Sequence, residues 1–180
     1  IIACSHRGRP NGKVVEELRN APVAAHLGQL LGQEVKAIRA CVGPEAEAAV
    51  AAMQPGDVIL LENVRFHAEE EENDPEFARQ LASLADVFVC DAFGTAHRAH
   101  ASVVGVAHHL PAVAGLLMER ELDYLEQITE PKRPFAIILG GAKIADKLAI
   151  LENLAQQGFG CFALVAADTT AATLELRPIS

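Results

Sequence analysis

The stretch that decides the fold is Asp86-Val-Phe-Val-Cys-Asp-Ala-Phe-Gly-Thr-Ala-His-Arg-Ala-His-Ala-Ser102. Its first five residues are mostly apolar, β-branched or aromatic, which predicts a buried strand of a parallel sheet. The residues after Cys90 then leave the end of this strand as a loop. Because open α/β sheets bind ligands outside the carboxyl ends of their strands, this loop is a candidate binding site.

The loop concentrates positive charge, because Arg98 lies close to His97 and His100 in an otherwise acidic protein. An arginine side chain holds phosphate or carboxylate through two parallel hydrogen bonds, so the cluster indicates an anion site. The alternative is a solvated loop whose histidines cap neighbouring carbonyl groups. The residues alone leave both interpretations open.

A second basic loop follows another predicted strand. Ile1 to Cys4 is strand-like, and the polar segment from Ser5 to Lys13 that follows it contains His6 and Arg9 among its charged residues. An ordinary turn with solvated charges is the alternative here. Two basic loops at strand ends of one small domain favour a shared anion site.

Arg65 lies just beyond a third strand, Asp57 to Leu61, and is flanked by two apolar residues. An arginine in apolar surroundings needs a partner, which is either a ligand or a protein group. A structural ion pair with Glu62 is the alternative to ligand binding. The run of four glutamates from Glu69 to Glu72 reads as a solvated face without chemistry.

Strands and helices alternate along the first half of the chain. This order predicts right-handed crossovers and a three-layer α/β fold, with a Rossmann-like parallel sheet covered by helices on both faces. Asn20 is the expected N-cap of the first helix, and Asp74-Pro75 marks another helix start. The predicted strands are 1–4, 35–38, 57–61 and 86–90, and the predicted helices are 23–31, 43–53 and 74–84.

A domain boundary is predicted near Pro131-Lys-Arg-Pro134, after a long helix from Ala112 to Ile128. Strands are expected at 135–139 and 161–166. Between them a Gly140-Gly141 turn opens a helix that carries Lys143 and Lys147 on one face. A pair of lysines at a helix start indicates a negative ligand, whereas a tight turn with solvated lysines is the alternative.

Composition excludes some classes of function. The formal charge of −9 argues against nucleic-acid binding and against binding to an anionic membrane surface. The four cysteines lack metal-ligand spacing, so they are expected to be reduced thiols in a cytoplasmic protein. No secretory leader and no apolar run of membrane-spanning length stands out, which agrees with that location.

Five segments together resemble the phosphoglycerate kinase family, in the order and spacing of that family. The resemblance runs from residue 1 to about 157. The segments are Ser-His-Arg-Gly-Arg-Pro at 5–10, Leu-Leu-Glu-Asn-Val-Arg-Phe at 60–66, Asp-Ala-Phe-Gly-Thr-Ala-His-Arg-Ala-His at 91–100, Leu-Pro-Ala-Val-Ala-Gly at 110–115, and Leu-Gly-Gly-Ala-Lys at 139–143 with Asp146-Lys147.

The resemblance implies a two-lobed kinase that moves a phosphoryl group between ATP and 3-phosphoglycerate in glycolysis. It implies a substrate lobe at 1–111, an interlobe helix at 112–131 and part of a nucleotide lobe at 132–180. It also implies a cytoplasmic monomer that takes up Mg-ATP or Mg-ADP, with Mg²⁺ bound through the nucleotide and no metal site on the protein.

The resemblance also assigns roles to individual residues. The expected 3-phosphoglycerate ligands are His6, Arg9, Arg65 and Arg98. The expected nucleotide-binding residues are Gly141, Ala142, Lys143 and Lys147, of which the two lysines are also the expected catalytic groups.

The family pattern differs from this sequence at both ends. The family begins with a strand bearing an Asp-x-Asn motif and a further arginine, and it continues through most of a second α/β lobe. Asp168-Thr169 resembles the family's late phosphate loop only faintly, since Ala166 and Ala167 stand where glycines are expected. A non-catalytic, anion-binding remnant of the family, and a chain that completes its sheet with another chain, are therefore alternative functions.

Overall fold

The computed structural model describes residues 1–129, 137–141 and 162–166, and the chain forms two compact units, Ile1–Leu122 and Asp123–Ser180. The first unit alternates strands and helices, as the sequence predicts. Its strands are β1 (Ile2–Ala3), β2 (Val35–Ala37), β3 (Val58–Leu60), β4 (Phe88–Cys90) and β5 (Ala112–Ala114). Its helices are α1 (Ala21–Leu31), α2 (Pro44–Ala51), α3 (Ala68–Glu72) and α4 (Pro75–Ala82), and α5 (Leu116–Thr129) continues into the second unit.

The three strands β1, β3 and β2 form a parallel sheet in that order, with β3 in the middle. All three residues of β3 are buried. Ile59 packs into the larger apolar cluster with residues of α4 and the segment after Arg98, and Leu60 packs with α1 on the other side. A central strand buried on both faces explains why β3 reads as a continuous apolar run.

Strands β4 and β5 pair in parallel with each other, so the described strands of this unit form two ladders rather than one. The prediction that 86–90 is a buried strand is wrong in part, because Val87 and Val89 are 51% and 54% exposed. Both line a cavity of about 1120 Å³ whose opposite wall is β1. Each wall is the edge of its ladder among the described strands.

The long helix begins later than predicted. Residues Ala112–Ala114 form β5, and α5 starts only at Leu116. One carboxylate oxygen of Asp91 accepts hydrogen bonds from the N–H groups of Leu117 (2.8 Å) and Met118 (2.9 Å), which satisfies the free donors of the first helical turn. The helix therefore starts where it is capped from β4, a long-range contact that local propensity does not report.

Other helix ends follow local rules. Asp74 caps α4 by accepting a hydrogen bond from the Phe77 N–H at 2.8 Å, and Gly32 ends α1 with a left-handed backbone (φ 67°). Asn20 occupies the predicted N-cap position of α1, but its side chain makes no capping bond. Its amide instead donates to the carbonyl oxygens of Ser5 (3.2 Å) and Leu61 (3.0 Å), joining β1 to β3.

In the second unit, β6 (Ile137–Gly141) pairs in parallel with β7 (Phe162–Ala166), so both predicted strands are confirmed. Gly140 and Gly141 belong to β6, which corrects the predicted Gly-Gly turn. Sequence reasoning placed the strand end too early because paired glycines usually mark turns. Within the described residues, no helix is long and apolar enough to cross a membrane.

Candidate functional site

The loop after β1 is fastened to the segment that follows β3. The Asn63 side-chain amide donates to the carbonyl oxygens of Arg7 and Leu18, both at 2.9 Å, and its own oxygen accepts from the Arg65 N–H at 3.1 Å. Backbone bonds join Val64 to Ser5 (3.3 Å) and Gly12 to Arg65 (3.2 Å). The loops that carry His6 and Arg65 therefore form one assembly.

Arg65 is only 5% exposed, although it carries a full positive charge. One terminal nitrogen donates to the Gly8 carbonyl at 3.2 Å, and its Nε lies 3.5 Å from a carboxylate oxygen of Glu71. That Nε is buried and has no hydrogen-bond partner. The guanidinium thus keeps an unsatisfied donor, which a buried site normally avoids unless a ligand or water completes it.

Glu62 is not the partner of Arg65, so the ion pair considered from the sequence is wrong. Glu62 instead accepts a hydrogen bond from Arg19 at 2.7 Å and from the backbone N–H groups of Asn20 (3.0 Å) and Asn63 (2.9 Å). Burial favours the neutral carboxyl, but these three hydrogen bonds outweigh it and lower the pKa of Glu62. Glu62 therefore stabilises the loops through Arg19, Asn20 and Asn63, and it does not pair with Arg65.

The third basic loop carries Arg98 after a short 3₁₀ turn, Phe93–Thr95. Arg98 is half-buried, and its Nε is a second buried donor without a hydrogen-bond partner among the described residues. His100 is buried and is followed by one turn of π-helix, Ala101–Gly105, which packs against α3 and α4. The predicted cationic loop is thus anchored by its C-terminal side.

His6 links the three loops electrostatically. Its half-buried position lowers the pKa of the imidazole, and the charges of Arg65, His100 and Arg98 lower it further, whereas Glu70 acts in the opposite direction. These four groups therefore lie close enough to His6 to influence its proton. An anion bound among these groups would raise the pKa of His6, because a nearby negative charge favours the imidazolium.

Glu70 is a site residue that sequence reasoning missed. The sequence predicts a solvated face for Glu69 to Glu72, but Glu70 is 2% exposed, whereas Glu71 is exposed and its carboxylate lies 3.5 Å from the Arg65 Nε. A signal was available, because four consecutive residues go once round an α-helix and cannot all face solvent. The interpretation as a solvated face is therefore wrong for Glu70.

The structure does not unite all the predicted residues. Arg9 and His97 are exposed, and no hydrogen bond or ion pair within the described residues ties the Arg9 side chain to His6, Arg65 or Arg98. Of the predicted nucleotide-binding residues, Gly141 lies in β6, while 142, 143 and 147 lie outside the described residues, as does Asp168-Thr169. In the described ranges no three His, Cys, Asp or Glu side chains are grouped to hold a metal ion.

Known proteins are similar to this chain in sequence and in fold. The sequence model of the phosphoglycerate kinase family matches residues 1–163. Phosphoglycerate kinases of Moorella thermoacetica and Pelotomaculum thermopropionicum are 61% and 62% identical over 155 residues, which is 86% of this chain and 39% of each relative. The chain thus spans about two fifths of the length of these relatives.

Solved structures agree with these relatives. Phosphoglycerate kinase from Coxiella burnetii superposes with a TM-score of 0.78 at 39% identity, covering 91% of this chain and 41% of that one. The enzyme from Pyrococcus horikoshii OT3 superposes with a TM-score of 0.80 at 32% identity, covering 92% and 42%. The chain belongs to the phosphoglycerate kinase family.

Proposed function

We propose that this chain binds 3-phosphoglycerate through His6, Arg9, Arg65 and Arg98, as the substrate-binding part of a phosphoglycerate kinase. The observation that carries the proposal is the pair of buried, unsatisfied Nε donors on Arg65 and Arg98, whose charges both act on His6. Two guanidinium groups, each with a buried donor that makes no hydrogen bond, suit a phosphate and a carboxylate on one small molecule.

The proposed reaction transfers a phosphoryl group between ATP and the carboxylate of 3-phosphoglycerate. Such chemistry depends on positioning and on cations that offset the charge of the transferring group. Mg-ATP is the second substrate. The residues predicted to bind its phosphates are Gly141, Ala142, Lys143 and Lys147. The role of the basic loops is to bind 3-phosphoglycerate through its phosphate and carboxylate groups.

We further propose a monomer that works in the cytoplasm without a nucleic-acid or membrane partner. The formal charge of −9 supports the absence of a nucleic-acid or anionic-membrane partner, because it opposes nonspecific binding to polyanions. Domain limits of 1–111, 112–131 and 132–180 belong to the same proposal.

The alternative function is an anion-binding remnant of the family that does not transfer phosphoryl groups. The match covers 39% of the length of each curated relative, so phosphoryl transfer by this chain needs a test separate from binding. The cavity between β1 and β4 bears on the other alternative, a chain that completes its sheet with another chain, because a strand placed there could pair with both exposed edges.

Binding is tested first by isothermal titration of the 180-residue chain with 3-phosphoglycerate. Arg98→Met removes one cation whose buried Nε makes no hydrogen bond within the described residues, so it tests the site without breaking a hydrogen bond at that atom. We expect binding to weaken roughly 10- to 100-fold, as for the loss of a charge-assisted hydrogen bond. Arg39→Met is the control, because Arg39 is exposed and outside the three loops. Equal affinity in Arg98→Met and Arg39→Met would reject the proposed site.

Turnover is tested separately by a coupled assay for 1,3-bisphosphoglycerate with Mg-ATP. A rate above the enzyme-free background that Arg98→Met lowers would support the kinase. Binding of 3-phosphoglycerate without any turnover would support the remnant instead. A histidine titration by nuclear magnetic resonance adds a direct readout, since bound ligand is expected to raise the pKa of His6.

A further inference from the structure

We propose that Glu70 is a positioning residue of the anion site, whose buried carboxylate fastens the segment after Arg98 to the helix after Arg65. The inference rests on the proposed function, in which these two arginines hold the same ligand. Glu70 would not touch the ligand. It would fix the distance between the loops that do.

The contact is two-pronged. The Ser102 hydroxyl donates to one carboxylate oxygen of Glu70 at 2.6 Å, and the Ser102 backbone N–H donates to the other at 2.9 Å. Glu70 is 2% exposed, so both oxygens are engaged away from solvent. A buried carboxylate is tolerated when it is paired and hydrogen-bonded in this way, and two bonds to one residue also fix its orientation.

The contact joins the two arginine loops by short paths. Glu70 lies on α3, five residues after Arg65, and Ser102 lies four residues after Arg98 in the π-helical turn. So few residues allow little independent movement between each arginine and its anchor. A break at Glu70–Ser102 would therefore release the Arg98 loop from the Arg65 loop.

Glu70 also balances the charge of the cluster. Its carboxylate lies 3.6 Å from the Nδ1 atom of the buried His100. The charged and titratable groups that act on His6 are Arg65, Arg98, His100 and Glu70, and Glu70 alone among these four is negative. The buried carboxylate thus contacts His100 of the third loop and opposes the effect of Arg65 and Arg98 on His6.

The test uses Glu70→Gln, which keeps the shape of the side chain and removes the charge and one acceptor. Glu72→Gln is the matched control, since Glu72 ends the same helix, is exposed and changes the net charge equally. Amide hydrogen exchange over residues 97–104 of the ligand-free chain is expected to accelerate roughly tenfold in Glu70→Gln only, as for one lost charge-assisted bond. The affinity for 3-phosphoglycerate is expected to fall roughly tenfold or more, as when an outer residue that orients a ligand-binding group is lost.

A second variant separates positioning from charge. Ser102→Ala keeps the carboxylate but removes the hydroxyl donor, so the same segment should exchange faster while the His6 titration stays as in the native chain. Glu70→Gln should instead lower the pKa of His6, because the opposing charges of Arg65, Arg98 and His100 are then unbalanced. A role limited to fold stability would lower the melting temperature and leave the affinity of the folded protein for 3-phosphoglycerate unchanged.

The outcomes are distinct. Exchange over 97–104 that stays native in both Glu70→Gln and Ser102→Ala would overturn the inference, whatever the ligand does. If Glu70→Gln does not fold, Ser102→Ala decides the question by the same exchange measurement. If the native chain fails to bind 3-phosphoglycerate, the proposed function fails, whereas the exchange experiment still decides whether Glu70 ties the two loops together.

Discussion

Replacing Glu62 by Gln tests whether the segment after β3 is held by a buried charge. Glu62 is 5% exposed and accepts three hydrogen bonds, from Arg19 and from the backbone N–H groups of Asn20 and Asn63. Glutamine keeps an oxygen for the backbone donors but loses the charge, and its amide nitrogen cannot accept from Arg19. The substitution therefore breaks a buried pair while leaving the shape of the side chain intact.

The expected cost is about 2–3 kcal/mol in the free energy of unfolding. Hydrogen bonds to charged groups contribute about 1.5–3 kcal/mol, and breaking a fully buried ion pair costs about 3–5 kcal/mol. Because Arg19 is only partly covered, the lower part of that combined range applies. A loss of this size is a large share of the roughly 5–15 kcal/mol by which domains are stable.

The assay is equilibrium urea unfolding followed by far-ultraviolet circular dichroism, because the chain has no Trp and a single Tyr. With a urea slope of about 1–3 kcal/mol per molar, the midpoint should fall by roughly 1–2 M at neutral pH. Glu76→Gln is the control, since Glu76 forms a short but exposed pair with Arg79 (2.6 Å) that solvent screens. Its midpoint should move far less.

Acid provides an independent check. Hydrogen bonding lowers the folded pKa of Glu62 in spite of burial, so its contribution is fully present above the ordinary glutamate pKa of about 4 and is lost as the pH falls through the lower folded value. The deficit of Glu62→Gln should therefore narrow in acid, as the native chain loses the same charge. Equal midpoint shifts in Glu62→Gln and Glu76→Gln, or a deficit that persists in acid, would refute the reasoning.

Three further predictions concern packing, thiol chemistry and capping. Gly105→Ala should lower the free energy of unfolding by about 1–3 kcal/mol, measured by thermal unfolding, because the added methyl would lie 2.6 Å from the Ala78 Cβ. Gly94→Ala is the control and should be neutral, because a methyl there meets open space. A neutral Gly105→Ala would contradict the packing. Burial raises the pKa of the Cys41 thiol. Iodoacetamide at pH 8 should therefore label Cys41 of the folded chain more slowly than the half-exposed Cys90. Equal labelling rates of the two cysteines, measured by mass spectrometry, would contradict this prediction. Asp91→Ala should cost about 1 kcal/mol and speed amide exchange at Leu117 and Met118, while Asp86→Ala should do neither; unchanged exchange would exclude the cap.

Local sequence patterns were sufficient where short-range physics decides the structure. The apolar run at β3 and the Asp74 cap of α4 both lie where the sequence predicts them. Each depends on burial periodicity or on a hydrogen bond within one turn. The three basic loops were found for the same reason, because a strand end followed by charged residues is visible in the chain itself.

Contacts between distant segments were beyond such patterns. The start of α5 at Leu116 depends on Asp91, which lies 25 residues earlier, and the short β5 before it depends on pairing with β4. Ala-Val-Ala favours a helix as readily as a strand, so the partner decides. The same holds for Asn20, whose side chain bonds to β1 and β3 instead of capping its own helix.

By itself, then, the sequence determined the family, the alternation of strands and helices, and the three loops that carry the cations. Only the tertiary structure decided the partners of the buried carboxylates and arginines. Glu62 forms an ion pair with Arg19, and Glu71 lies near Arg65. Glu70 accepts a hydrogen bond from Ser102, in the segment after Arg98. The physical reason is that ion pairs and buried hydrogen bonds form between groups far apart in the chain. The packing of β1, β3 and α3 determines which groups become partners. The local sequence around each group does not determine that packing.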